Sequence, residues 1–247
     1  MEPDQIRHEQ ALPRSQQRQQ PPTPPGAPSP PASTVADTWQ WLWKDTVTRI
    51  APLTGVALLY AALSHKGPSG IGITTRRWPR EVALGIGVGL PLAALAGAFR
   101  GWTAPHYRLP TRADQALQST YYLAINAPAE EIFWRGAVQS LTADAVARLT
   151  GRRTLGQATG WALATAGYAS YHRLGGWSWT SIAGVAFAGS IFGALFARDQ
   201  RQPSLVAPVI AHGVATAAFL SWGDVMLHRR AMRLALAKAR LSETSTE

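Results

Sequence analysis

Apolar and small residues gather in six stretches, at roughly 47–64, 82–99, 116–142, 156–172, 179–197 and 204–222, with polar residues between them. A helix that crosses the hydrocarbon core of a bilayer needs about 20 mostly apolar residues, and fewer when neighbouring helices bury it. Small residues recur inside the stretches, as in Gly85-Ile86-Gly87-Val88-Gly89 and Ala183-Gly184-Val185-Ala186. In lipid, such residues let helix backbones approach closely. The pattern predicts an all-α fold: a polytopic transmembrane helix bundle of about six spans. Three tryptophans, Trp39, Trp41 and Trp43, precede the first span and suit the headgroup zone. A soluble all-α protein with buried helices is the plainer alternative. Six apolar runs of this length weigh against it.

Composition divides the 247-residue chain into three parts. Residues 1–36 hold half of the 18 prolines and six glutamines (Gln5, Gln10, Gln16, Gln17, Gln19 and Gln20). Such a segment buries too little surface to offset its ordering entropy and is expected to be a disordered tail. It lacks the unbroken apolar core of a signal peptide. Residues 37–227 form the expected membrane domain, and 228–247 a basic C-terminal tail. Between Met226 and Leu241, apolar residues alternate with Arg229, Arg230, Arg233, Lys238 and Arg240. That interleaving fits a segment lying on an anionic leaflet, or a solvated helical tail.

The net charge of +10 invites a nucleic-acid partner. The basic residues, however, are scattered between apolar runs rather than gathered in one stripe, so no nucleic acid is expected. The lipid bilayer is the expected partner. The absence of cysteine excludes disulfides, thiolate metal sites and cysteine nucleophiles. Lys and Arg are in excess on the inside if the N-terminus is cytoplasmic, although Arg76, Arg77 and Arg80 fall in one outside loop. The expected location is a multi-pass position in a bacterial inner membrane.

Candidate chemistry centres on Glu130 and Glu131, the only carboxylates between Asp114 and Asp144. An ionisable group inside a membrane bundle costs several kcal/mol unless it is paired or faces water, which makes it a functional candidate. Glu131 and Arg135 are four apart, acid before base, and share a helix face. That pairing is expected to leave Glu130 free to act. On a soluble helix the same pair would be an ordinary surface contact of little consequence. His172 closes the fourth stretch with Tyr168 one turn before it, and His212 lies within the sixth with Thr216 one turn after it. A lone histidine in a span is more often a packing residue. Two of them with a glutamate, on three separate spans, suggest a carboxylate and an imidazole converging on one water as a general-base pair. The second imidazole and its neighbouring hydroxyl would then face a developing oxyanion. Asn126, the only asparagine, stands one turn before Glu130 and is expected to position Glu130 or the substrate.

Glu130-Glu131-x-x-x-Arg135, Tyr168-x-x-x-His172 and His212-x-x-x-Thr216 together resemble the motifs of the CPBP group of intramembrane proteases. That group comprises the type II CaaX prenyl endopeptidases and the bacterial Abi proteins. The resemblance covers roughly 115–222, and Pro-Ala-Glu-Glu-Ile-Phe-Trp-Arg-Gly is its most specific part. The family pattern is Glu-Glu-x-x-x-Arg, Phe-x-x-x-His and His-x-x-x-Asn, so Tyr168 and Thr216 are departures. The resemblance implies that Glu130 and His172 activate a hydrolytic water and that Glu131 and Arg135 orient the site. It implies further that His212 with residue 216 holds the oxyanion. Threonine offers one hydroxyl donor where asparagine offers an amide with two.

Glu130, His172 and His212 would make three zinc ligands with water as a fourth, but no His-Glu-x-x-His spacing encodes a metal site. The favoured expectation is a glutamic-type peptidase with no cofactor, acting on a membrane-associated peptide or protein. The alternative is a catalytically silent membrane scaffold or immunity-type protein, which Thr216 favours. A proton-relaying transporter is weaker, because no inverted repeat is visible.

Overall fold

The computed structural model describes residues 35–64, 67–103, 111–199, 203–219 and 233, with side chains of 100–103 left aside. The N-terminal tail through residue 34 and most of the basic C-terminal tail lie outside the described residues. Every regular element among them is helical. The chain runs through α1 (Val35–Leu63), the short α2 (Gly67–Gly70), α3 (Trp78–Thr103), α4 (Arg112–Tyr121) and α5 (Ala127–Glu131). It continues through α6 (Ser140–Thr150), α7 (Arg153–Leu174), α8 (Trp179–Ala197) and α9 (Val206–Ala217).

Three wide, π-helical stretches interrupt the α geometry, at Thr46–Ile50, Tyr122–Asn126 and Ile132–Gln139. Two of them have a cause in the sequence. Proline lacks an N–H, and its ring crowds the carbonyl four residues earlier. Pro52 and Pro128 therefore disturb the carbonyls of Thr48 and Ala124, each inside a π stretch. Such wide turns are frequent at functional sites. Here they carry Arg49, Asn126 and Arg135.

α4 starts at a reciprocal cap: the Thr111 hydroxyl accepts from the Asp114 N–H at 3.1 Å, and the Asp114 carboxylate accepts from the Thr111 N–H at 3.3 Å. Asp114 also accepts from the Thr38 hydroxyl at 2.9 Å, which ties α1 to α4. Leu42 and Ile50 of α1 complete that junction by packing on Tyr121, Tyr122 and Ala129. A second core forms where Leu92 of α3, Phe192 of α8 and Ala211 and Ala215 of α9 meet. The approach of α3 to α9 needs small residues. A Cβ on Gly85 would lie 2.8 Å from the Ala207 carbonyl oxygen, and one on Gly89 3.0 Å from Ala211 Cα.

Three helices are long and apolar enough to cross a membrane: Val35–Leu63, Trp78–Phe99 and Trp179–Ala197; α9 is apolar but shorter. Large apolar side chains such as Leu59, Leu90, Leu95 and Phe187 point outward from these elements, as lipid-facing residues do. Trp39 and Trp43 are likewise exposed, whereas Trp41 turns in against Tyr121. The fold is thus an all-α bundle with membrane-crossing helices, but among the described residues three spans, not six, meet both length and hydropathy. The 116–142 stretch falls short because its inward face carries Asn126, Glu130, Glu131 and Arg135 and is divided by π turns, whereas the buried face of 156–172 is mostly small, with Gly156, Gly160, Ala164 and Ala169 beside Tyr168. The polar face of the first, with Tyr168 and His172 of the second, forms the candidate site.

Candidate active site

Glu130 and Glu131 end α5 at the middle of the bundle, both buried. Being successive residues of a helix, they face different neighbours. Glu131 looks toward α9, where its Oε1 accepts a hydrogen bond from His212 Nδ1 at 2.8 Å. Its Oε2 lies 3.4 Å from Arg135 Nε, in a pair with no exposure on either side chain. Arg135 in turn donates from Nη2 to the Gly189 carbonyl at 3.0 Å and lies 4.9 Å from the Tyr168 ring centre. This contact requires glycine in α8, since a Cβ on Gly189 would come within 2.7 Å of Tyr168 Cδ1.

His212 is fixed on both ring nitrogens. A carboxylate only accepts, so Nδ1 carries the proton toward Glu131, and Nε2 presents a lone pair. The Tyr168 hydroxyl lies 3.1 Å from that Nε2 and donates to it. Phe192 stacks on the ring at a centroid distance of 4.9 Å and an interplanar angle of 16°.

Glu130 sits in a second set of contacts. Its Oε1 accepts from Asn126 Nδ2 at 3.2 Å and from Arg49 Nη1 of α1. Its Oε2 lies 3.8 Å from His212 Nε2. The Arg49 guanidinium is itself gripped by Asp45, with Nε 2.6 Å from Oδ1 and Nη2 bonded to Oδ2. Asp45 also accepts a hydrogen bond from the Tyr121 hydroxyl of α4. The Glu131–Arg135 pair forms as its spacing predicts, but it does not leave Glu130 free: Glu130 is ion-paired to Arg49.

His172 closes the site near the end of α7. Its Nδ1 lies 2.8 Å from the Tyr168 carbonyl, an acceptor, so Nδ1 is the protonated nitrogen and Nε2 the basic one. Tyr168 and Trp177 flank the ring at centroid distances of 4.8 and 5.0 Å. Glu130 and His172 interact electrostatically, with no direct hydrogen bond between them.

Seven of the residues picked out from sequence therefore belong to one connected neighbourhood: Asn126, Glu130, Glu131, Arg135, Tyr168, His172 and His212. Thr216 does not join it. It is half-buried one turn beyond His212 and makes no hydrogen bond to the cluster among the described residues. Sequence reasoning missed Arg49, Asp45 and Tyr121. A signal was present, because Asp45-x-x-x-Arg49 repeats the acid-before-base spacing of Glu131-x-x-x-Arg135 at the edge of an apolar run. No group of three or more His, Asp or Glu side chains among the described residues is arranged to hold a metal ion.

Residues 112–218 match the family model described as Type II CAAX prenyl endopeptidase Rce1-like. Over these residues the chain is similar to the CAAX protease family. No curated protein and no solved structure was found to match it. The match supports, in general terms, a peptidase, and the apolar helices support an integral membrane protein. The matched segment begins at α4 and ends just after α9, so it holds every contact from Asn126 to His212. It leaves out α1, and with it Asp45 and Arg49.

Proposed function

We propose that this chain is a CAAX-type intramembrane endopeptidase in which Glu130 and His172 activate a water molecule directly, without a metal. One observation carries the reading: a buried carboxylate with one oxygen uncommitted to any hydrogen bond, Glu130 Oε2, shares a site with an imidazole whose basic Nε2 is left free by the Nδ1 contact.

Water between these groups loses a proton to one of them as its oxygen attacks the scissile carbonyl carbon. The tetrahedral oxyanion then collapses, the C–N bond breaks, and the stored proton passes to the departing amine. Oxyanion stabilisation falls to His212 and the Tyr168 hydroxyl rather than to Thr216. The Tyr168 O–H, which rests on His212 Nε2, swings from that nitrogen to the oxyanion as negative charge develops there.

The substrate in this reading is a membrane-associated peptide or protein, and the N-terminus lies in the cytoplasm of a bacterial cell. A metal-free mechanism is supported by the commitment of both His212 nitrogens, which removes His212 from any zinc donor set unless its contacts break. A second reading, a silent scaffold, draws on the ion pair between Glu130 and Arg49, which ties up one carboxylate oxygen. Comparison of the membrane proteome of cells carrying the wild type or Glu130→Gln separates the two. A peptidase leaves an uncleaved precursor in the variant, and a scaffold leaves none.

A further inference from the structure

We propose that Arg49 is a positioning residue of the peptidase: it pins Glu130 by Oε1, so that Oε2 is the oxygen that works on water. The proposal rests on the reading of Glu130 as a base and extends the catalytic apparatus to α1, outside the family-matched segment.

The construction around Arg49 is what a positioning device requires. An arginine side chain is long and rich in rotamers, and here its head group is held between Asp45 and Glu130. Asp45, one turn earlier, grips Nε and Nη2 as a fork, the geometry that suits arginine and not lysine. Tyr121 of α4 holds Asp45 through its hydroxyl. The remaining arm, Nη1, reaches Glu130 across 81 residues of sequence. The Asn126 amide takes the same Oε1 from the other side at 3.2 Å. Two donors on one oxygen fix the carboxylate plane and leave the other oxygen toward His212.

Arg49 is partly exposed, which raises the alternative that it docks an anionic group of a substrate. Charge argues against that. Its guanidinium already faces two carboxylates, Asp45 and Glu130, so the locality is negative before any ligand arrives. Loss of Arg49 should accordingly act on turnover and not on substrate capture.

The test uses full-length protein in lipid nanodiscs and, as substrate, the precursor that accumulates in cells carrying Glu130→Gln. Arg49→Gln is expected to lower kcat by about 10²-fold, the scale of a small misplacement of a reacting group, with KM within about twofold. Arg49→Lys keeps the charge but not the fork and is expected to fall between. Tyr121→Phe loosens Asp45 without removing charge and is expected to give a smaller loss, again in kcat. A readout that needs no substrate runs alongside: in thermal unfolding, the Arg49→Gln/Glu130→Gln double variant should melt above the temperature that the two single shifts predict by addition. Unchanged kcat in Arg49→Lys and Tyr121→Phe, a rise in KM alone, or additive melting shifts would each overturn the proposal. If Glu130→Gln still cleaves, the base assignment itself fails. If Glu130→Gln is dead while Arg49→Gln is fully active, only the role of Arg49 falls.

Discussion

The Glu131 carboxylate holds His212 by Nδ1 at 2.8 Å, and this one contact decides which imidazole nitrogen faces the site. A carboxylate partner at Nδ1 leaves Nε2 to the Tyr168 hydroxyl. Orientation and tautomer are thus set from outside the reacting centre.

Removal of Glu131 should therefore do two kinds of damage. Glu131→Ala leaves Arg135 charged and fully buried with no acid beside it, which destabilises a protein by about 3–5 kcal/mol. Thermal unfolding in nanodiscs should show a large drop in Tm. Glu131→Gln retains a hydrogen-bond acceptor for His212 and should melt higher than Glu131→Ala while still losing turnover.

Tyr168 and Thr216 exchange the importance that helical spacing suggests. Tyr168→Phe removes a hydroxyl bonded to His212 and should lower kcat by about 10²-fold or more, the range of a lost oxyanion donor. Thr216→Ala should leave kcat within about twofold, since its hydroxyl stands outside the cluster. Thr216→Asn, which adds an amide donor, should preserve or raise turnover. A strong loss in Thr216→Ala with none in Tyr168→Phe would reverse the assignment.

Gly189→Ala tests the packing that supports the site. The added methyl would lie 2.7 Å from Tyr168 Cδ1, so either the ring or α8 must move. Overpacking of this kind costs about 1–3 kcal/mol. A lowered Tm together with reduced kcat is expected. An unaltered Tm would mean that the two helices separate without strain.

A chelator distinguishes direct water activation from metal chemistry. Dialysis against EDTA should leave cleavage unchanged. Activity that disappears and returns with zinc alone would require His212 or Glu130 to leave its present partners.

Much of the site was legible because ionisable residues are conspicuous in apolar sequence. Glu130, Glu131, Arg135, His172 and His212 stood out for that reason, and Asn126 followed from its distance of one turn to Glu130. Arg49 escaped notice because it lies near the end of an apolar run, where arginine ordinarily anchors a helix at the membrane surface. Only the fold shows that Asp45 and Tyr121 turn it inward. Thr216 makes no hydrogen bond to the cluster among the described residues for a related reason. Spacing on a helix reports which face a residue shares, not how far its side chain reaches, and a hydroxyl one bond from Cβ is short. Tyr168 reaches His212 from another helix, a relationship that no local spacing encodes. Of the six expected spans, three meet both length and hydropathy among the described residues.

The most direct test replaces the acid alone. Glu130→Gln keeps the size and a hydrogen-bonding oxygen but not the basicity, and His172→Gln does the same for the imidazole. Cleavage of the accumulated precursor should be abolished in each variant while the protein stays folded and inserted. Residual cleavage at a rate near that of the wild type in either one would contradict the account.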